Sequence, residues 1–135
     1  MQTAIFWPVI AQVVLVHALY ILMLRRRIAG VRSGSVSVSA FLIPSVEPAP
    51  SATVARSLVN QFELPVLFYL VTVLLFLTGG AGWLAVALAW GFVATRYAHA
   101  IVHVTVNRLF VRQKLFMAGM AFESALWLLL ALQIL

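Results

Sequence analysis

The 135-residue chain contains no cysteine, which excludes disulfides, thiolate metal sites and a cysteine nucleophile. Any thiol chemistry must use a thiol carried by a ligand. Acidic residues are nearly missing: three Asp+Glu stand against nine Lys+Arg, for a net charge of +6. Charge of either sign is scarce, at 9% of residues, whereas a soluble domain carries about 25%. An ordinary water-exposed globule is therefore excluded. There is no Gly-rich phosphate loop, and no Ser with a recognisable base and orienting carboxylate. The basic surplus is not a nucleic-acid footprint, because the arginines lie at the ends of apolar runs rather than along a solvated face. What fills the chain is apolar: 64% hydrophobic residues and a mean hydropathy of +1.10. That composition places one domain, residues 1–135, in a bilayer.

A membrane-crossing helix needs about 20 mainly apolar residues. Four stretches qualify: Ala4 to Leu24, Val54 to Thr78, Trp83 to Val106, and Leu115 to Leu135. The expected fold is an all-α four-transmembrane-helix bundle. The first stretch has no basic leader and no small-residue cleavage site, and it ends in Arg25-Arg26-Arg27, so it reads as a retained span. Alternating spans gather Arg25, Arg26, Arg27, Arg32, Arg56, Arg108, Arg112 and Lys114 at one end, leaving Arg96 inside the third span. The positive-inside rule makes that end cytoplasmic and puts both termini on the non-cytoplasmic side. The cytoplasmic loop, residues 28–53, is long, with three prolines and six serines. Its Ser35-Val36-Ser37-Val38-Ser39 alternation allows a short strand, Ala40-Phe41-Leu42-Ile43 allows contact with the membrane surface, and a loosely ordered tether is the plain alternative.

Ionisable side chains within spans cost about 2.5–3.5 kcal/mol each on insertion scales, so their default reading is functional. Arg56, Asn60 and Glu63 fall four and three residues apart, on one helical face of the second span. Arg96, His99, His103 and Asn107 form a second stripe on the third. Ala87, Gly91, Ala94 and Ala98 occupy that helix's other face, where small residues permit close packing. Facing stripes would pair Glu63 with Arg96 and leave a cationic cavity suited to a carboxylate-bearing anion. The bland alternative is an interhelical lock without a ligand, with Arg56 snorkelling to headgroups. Pro65 removes a backbone hydrogen bond, bends the second span and exposes a carbonyl near Gln61. Glu123 is expected to face another helix or subunit, whereas Gln12 and His17 read as packing residues. The His99-x-x-x-His103 spacing also suits a metal, with Glu63 as third ligand, but Arg96 one turn away repels a divalent cation. No metal is assigned.

The segment Arg56-Ser-Leu-Val-Asn60-Gln-Phe-Glu63 resembles the Arg-x-x-x-Asn-x-x-Glu pattern in the second helix of the MAPEG superfamily, membrane-associated proteins of eicosanoid and glutathione metabolism. Arg96-Tyr97-Ala98-His99 is similar to the family's Arg-x-x-His/Tyr segment, and Ala125 to Leu129 looks like part of a fourth helix in leukotriene synthase. The resemblance implies a homotrimer with glutathione, as co-substrate, held between helices 2 and 3 and neighbouring subunits. It carries a glutathione-binding role onto Arg56, Asn60, Glu63 and Arg96, with His99 and His103 at positions often held by tyrosines. One of Arg25 to Arg27 matches an arginine at the end of the first helix. The thiolate-stabilising arginine of leukotriene synthase falls, without gaps, on Phe110, flanked by Arg108 and Arg112. Those two are the catalytic candidates.

The chemistry agrees with the resemblance. A nearby cation lowers a thiol's pKa, and a guanidinium stabilises the anion but cannot act as its base. An imidazole, titrating near ~6.5 when unperturbed, can take the thiol proton. The expected function is an integral membrane glutathione-dependent transferase or peroxidase acting on lipophilic small molecules or lipids. The alternatives are a non-catalytic relative that binds a lipid or scaffolds partners, and a small transporter, which the apolar outer halves of spans two and three disfavour.

Overall fold

In the computed structural model, which describes residues 2–44 and 46–135, every regular element is helical. Helix α1 spans Phe6–Arg32 and follows a short 3-10 turn; α2 is Ala49–Val59, α3 Leu64–Leu77, α4 Trp83–Val104 and α5 Leu109–Ile134. Four stretches are long and apolar enough to cross a membrane: Gln2–Arg32, Ala49–Leu77, Trp83–Val104 and Leu109–Ile134. The helices overrun the apolar stretches wherever helix-forming polar residues continue the pattern. Thus α1 carries on through its arginines until Ser33 and Gly34, the latter at φ 69, where glycine turns the chain at little cost. Helix α5 likewise starts before Leu115, taking in Arg112, Gln113 and Lys114.

The second span is interrupted. Asn60–Phe62 form a 3-10 turn, and Glu63 adopts φ −97 and ψ −106, far from helical values. Pro65 is the cause: it has no N–H for the Gln61 carbonyl and disfavours a helical residue before it, but sits well in the first turn of α3. The break also takes the Leu64 N–H off the Asn60 carbonyl, its partner in a continuous helix.

Phe68, Val71 and Leu75 of α3 meet Ala85, Ala89, Phe92 and Val93 of α4 and Leu126 and Leu130 of α5 in one core. There Phe68 and Phe92 stack with ring centroids 4.4 Å apart. A second cluster joins Leu15 and Leu19 of α1 to Val54 and Leu58 of α2 and Ala100 of α4. Large apolar residues such as Trp7, Leu70 and Leu132 remain exposed, as expected of a lipid-facing surface. The small-residue face of α4 is used only in part. Ala87 and Ala94 are exposed, while Gly91 lies flat against Phe122 of α5, so that a Cβ there would come within 2.5 Å of the ring. Across the same crossing, a Cβ on Gly119 would come 2.9 Å from Thr95 Oγ1.

At the basic end Arg26 ties three segments, donating to the Pro50 and Val104 carbonyls at 2.8 Å each. Arg27 grips Glu47 in bidentate fashion at 2.7 and 3.0 Å. This guanidinium holds the Glu47 carboxyl below its usual range. The loop between α1 and α2 contains a 3-10 turn at Val38–Phe41 in place of the strand its alternation allowed, and it is clamped rather than a loose tether.

The α4–α5 crossing predicts the effect of enlarging its glycine. Gly91→Ala should lower thermal stability in detergent by about 1–3 kcal/mol through overpacking. Adding Phe122→Ala should recover part of that loss, as a double-mutant cycle on melting temperature would read.

Candidate functional site

Arg96 is wholly enclosed, at 0% exposure. Its Nη2 donates to the Asn60 carbonyl at 2.9 Å, the acceptor released by the break before Pro65. Its Nε and Nη1 are buried without partners, and the guanidinium carbon lies 6.0 Å from the centre of the Phe116 ring. A buried cation with one neutral hydrogen bond is undercompensated, since unpaired ions cost several kcal/mol inside a low-dielectric bundle. The expected Glu63–Arg96 ion pair is not formed; among the described residues the one ion pair is Arg27–Glu47. Glu63 lies within electrostatic reach of Arg96 but is itself exposed. The same break explains this, because it takes Glu63 out of the α2 helical register and the Arg56–Asn60–Glu63 face does not persist.

A hollow of about 370 Å³ is lined by Asn60, His99, Leu109, Arg112, Gln113 and Phe116; Arg96 does not line it but contacts two of its walls, Asn60 and Phe116. The volume is at the lower end of the range for small-molecule sites, about 300–1,000 Å³. Three residues singled out in the sequence meet there: Asn60, His99 and Arg112. His103, one turn beyond His99 and 5.8 Å from it between ring centres, is buried at 1% exposure. The Nδ1 atoms of both rings lack hydrogen-bond partners, as does Arg112 Nε. Arg112 Nη1 donates to Asn107 Oδ1 at 2.8 Å. Asn107 leaves the α4 stripe to make the turn into α5, at φ 48, a conformation asparagine tolerates better than most residues.

Other candidates stand apart from the hollow. Arg56 is exposed and lines a different depression with Arg27 and Glu47, although its charge reaches His103 and Arg112. Arg108 is exposed at the start of α5, and Phe110 is 80% exposed. Among the first-helix arginines, Arg26 and Arg27 are engaged in structural contacts. Glu123 is buried and accepts a hydrogen bond from Trp127 Nε1 one turn along. Gln12 is buried and donates to Gln61 Oε1 at 2.9 Å, and Gln61 donates in turn to the Ser57 carbonyl. His17 is exposed, its Nδ1 beside the Val13 carbonyl. Among the described residues no three His, Asp or Glu side chains come together as a metal site would need.

Sequence reasoning missed Gln113 and Phe116. The signal was present: Leu109, Gln113 and Phe116 recur at four and three residues, continuing one face of α5. It is faint because the rest of that helix is apolar around its circumference.

The family model for MAPEG matches residues 4–132. No curated protein and no solved structure gives a significant match to the chain.

The Arg96–Asn60 contact predicts a specific coupling. Arg96→Met should be more costly beside Pro65 than in a Pro65→Ala background, where a restored helix can satisfy the Asn60 carbonyl. The coupling should be about 0.5–3 kcal/mol in detergent melting. Additivity would deny the link between break and guanidinium.

Proposed function

Because the chain belongs to the MAPEG family and its helices make it a multi-pass integral membrane protein, we propose that it is a glutathione-dependent transferase or peroxidase acting on lipophilic substrates. The observation that carries this reading is the enclosed Arg96, with two unpartnered N–H-bearing nitrogens, in contact with the Asn60 and Phe116 walls of a hollow edged by Arg112 and His99. A tripeptide with two carboxylates answers such a surplus of positive charge, because guanidinium forks bind carboxylates in pairs of hydrogen bonds. Asn60 offers its side-chain amide to the peptide, and Arg96 supplies the field beneath it. His103 extends the imidazole row.

The geometry favours Arg112 over Arg108 for steadying a thiolate. Arg112 edges the hollow with Nε unpartnered, whereas Arg108 is exposed and does not line it. Arg112 acts by charge alone, since a guanidinium keeps its proton at neutral pH. His99 takes the thiol proton on its unpartnered Nδ1 as the sulfur bonds to the electrophile, and later returns it to the leaving group or solvent. Arg56 and Glu63, exposed on the single chain, contribute across the seam of a homotrimer. The basic end faces the cytoplasm, with both termini on the opposite side, and the lipophilic partner enters from the bilayer.

Calorimetry with glutathione in detergent tests binding, and conjugation of a generic aromatic electrophile tests turnover. Saturable binding lost in Arg96→Ala, with the trimer retained by mass measurement, is the expected result. Loss of the trimer instead would make the stripe a structural lock. Arg112→Ala should lower kcat by about 10²-fold, the scale for removing one donor to a developing anion, while Arg108→Ala should leave it near the parent value. Binding without turnover would favour the non-catalytic alternative.

A further inference from the structure

The loop between α1 and α2 carries a feature that glutathione chemistry does not use. Val38, Leu42, Ile43 and Val46 are 70%, 81%, 57% and 60% exposed, although they belong to a polar connection at the basic end. Their height relative to the bilayer follows from contacts along α1. With 27 residues α1 is about 40 Å long, at about 1.5 Å per residue, and exceeds a hydrocarbon core of about 30 Å. The apolar run ends at Leu24, so the helix from Arg25 to Arg32 passes through the headgroup layer and beyond.

The loop then folds back down this extension. Val36 packs on Gly30, Arg27 lies over the Phe41 ring at 5.3 Å, Glu47 pairs with Arg27, and Arg26 holds the Pro50 carbonyl. Phe41 and Glu47 are therefore both fixed at the level of Arg27, about 4.5 Å past Leu24 along the helix. The chain between them carries the exposed Leu42, Ile43 and Val46, all within five residues of one of these two fixed points. A hollow of about 390 Å³ runs beside this level, walled by Ile28, Val31, Val38 and Phe41 and bordered by Arg32. Arg25, Ile28 and Arg32 share one face of α1. Arg25 and Arg32 form no ion pair among the described residues, the nearby Glu47 being committed to Arg27.

We infer that Val38 to Ile43, together with Val46 and the α1 extension, form an interfacial anchor for anionic phospholipid. Leu42, Ile43 and Val46 dip into the leaflet, and Arg25 and Arg32 draw acidic headgroups alongside. Buried apolar side chains and adjacent cations reinforce one another in such anchors. The Arg27–Glu47 clamp sets the height at which the apolar residues meet the lipid. The inference needs the membrane-spanning fold but not the glutathione reading.

The absence of cysteine allows clean site-directed labelling. Leu42→Cys, Ile43→Cys and, as an aqueous reference, Ser35→Cys would each carry a nitroxide in proteoliposomes of phosphatidylcholine with or without phosphatidylserine. Collision with oxygen, compared with a water-soluble nickel chelate, reports depth. The labels at 42 and 43 should favour oxygen over nickel several-fold relative to the label at 35, and more strongly with phosphatidylserine present. Arg25→Gln and Arg32→Gln should each weaken the phosphatidylserine effect by about five-fold, leaving the neutral vesicles unchanged. Equal profiles at positions 35 and 42 would overturn the anchor, and indifference to phosphatidylserine would overturn its lipid selectivity. Shielding of position 42 from both probes would assign the patch to a second protein copy instead. Glutathione calorimetry on the Arg32→Gln variant, in which binding should persist, separates this failure from failure of the proposed function.

Discussion

The hydrogen bond from Arg96 to the Asn60 carbonyl ties a helix break in one span to a cation in the next. Pro65 breaks the second span and turns Glu63 out of register; the break takes the Leu64 N–H off the Asn60 carbonyl, which needs another partner in a medium without water. Arg96 supplies it at 2.9 Å. One contact thus lowers both the cost of enclosing the guanidinium and the cost of breaking the helix. Neither feature makes physical sense alone: the break would strand an acceptor, and the arginine would lack a fixed oxygen.

That contact leaves a positive charge only partly answered, and the surrounding residues add no negative one. Phe116 offers the face of a ring, and His99 and His103 present unpartnered Nδ1 atoms. A cation left so incompletely paired attracts anions and repels divalent cations. Elsewhere cations serve different ends. Arg26 stitches α1 to the start of α2 and the end of α4, and Arg27 fixes the loop through Glu47. One basic end of the bundle thus combines arginines tied to backbone carbonyls or to Glu47 with Arg112 at the edge of the hollow.

Much of the architecture was legible because membrane insertion imposes long apolar runs. The four helical runs and the disturbance near Pro65 follow from hydropathy and from proline's missing N–H. Their ends were harder to read, since Arg25–Arg32 and Leu109–Lys114 are helix-forming but polar and so fall outside an apolar window. The polar stripe of α4 was legible as far as His103, because 3.6-residue periodicity holds within an unbroken helix. The stripe on the second span was not: a bend was expected, but not that it would dismantle the Arg56–Asn60–Glu63 face. Periodicity assumes continuous φ/ψ values, and Glu63 departs from them. Gln113 and Phe116 were hidden for another reason, as their role depends on which face of α5 meets α4, a tertiary choice set by Gly91 and Gly119.

The direct test of this account is a solid-state NMR distance in lipid between the labelled Arg96 side-chain nitrogens and the carbonyl carbon of Asn60, with Arg96→Lys identifying the signal. Strong dipolar recoupling, as a direct N–H···O=C contact requires, is the predicted result. Absence of recoupling together with close approach to the Glu63 carboxyl carbon would contradict it, restoring an ordinary ion pair in place of the carbonyl released by the helix break.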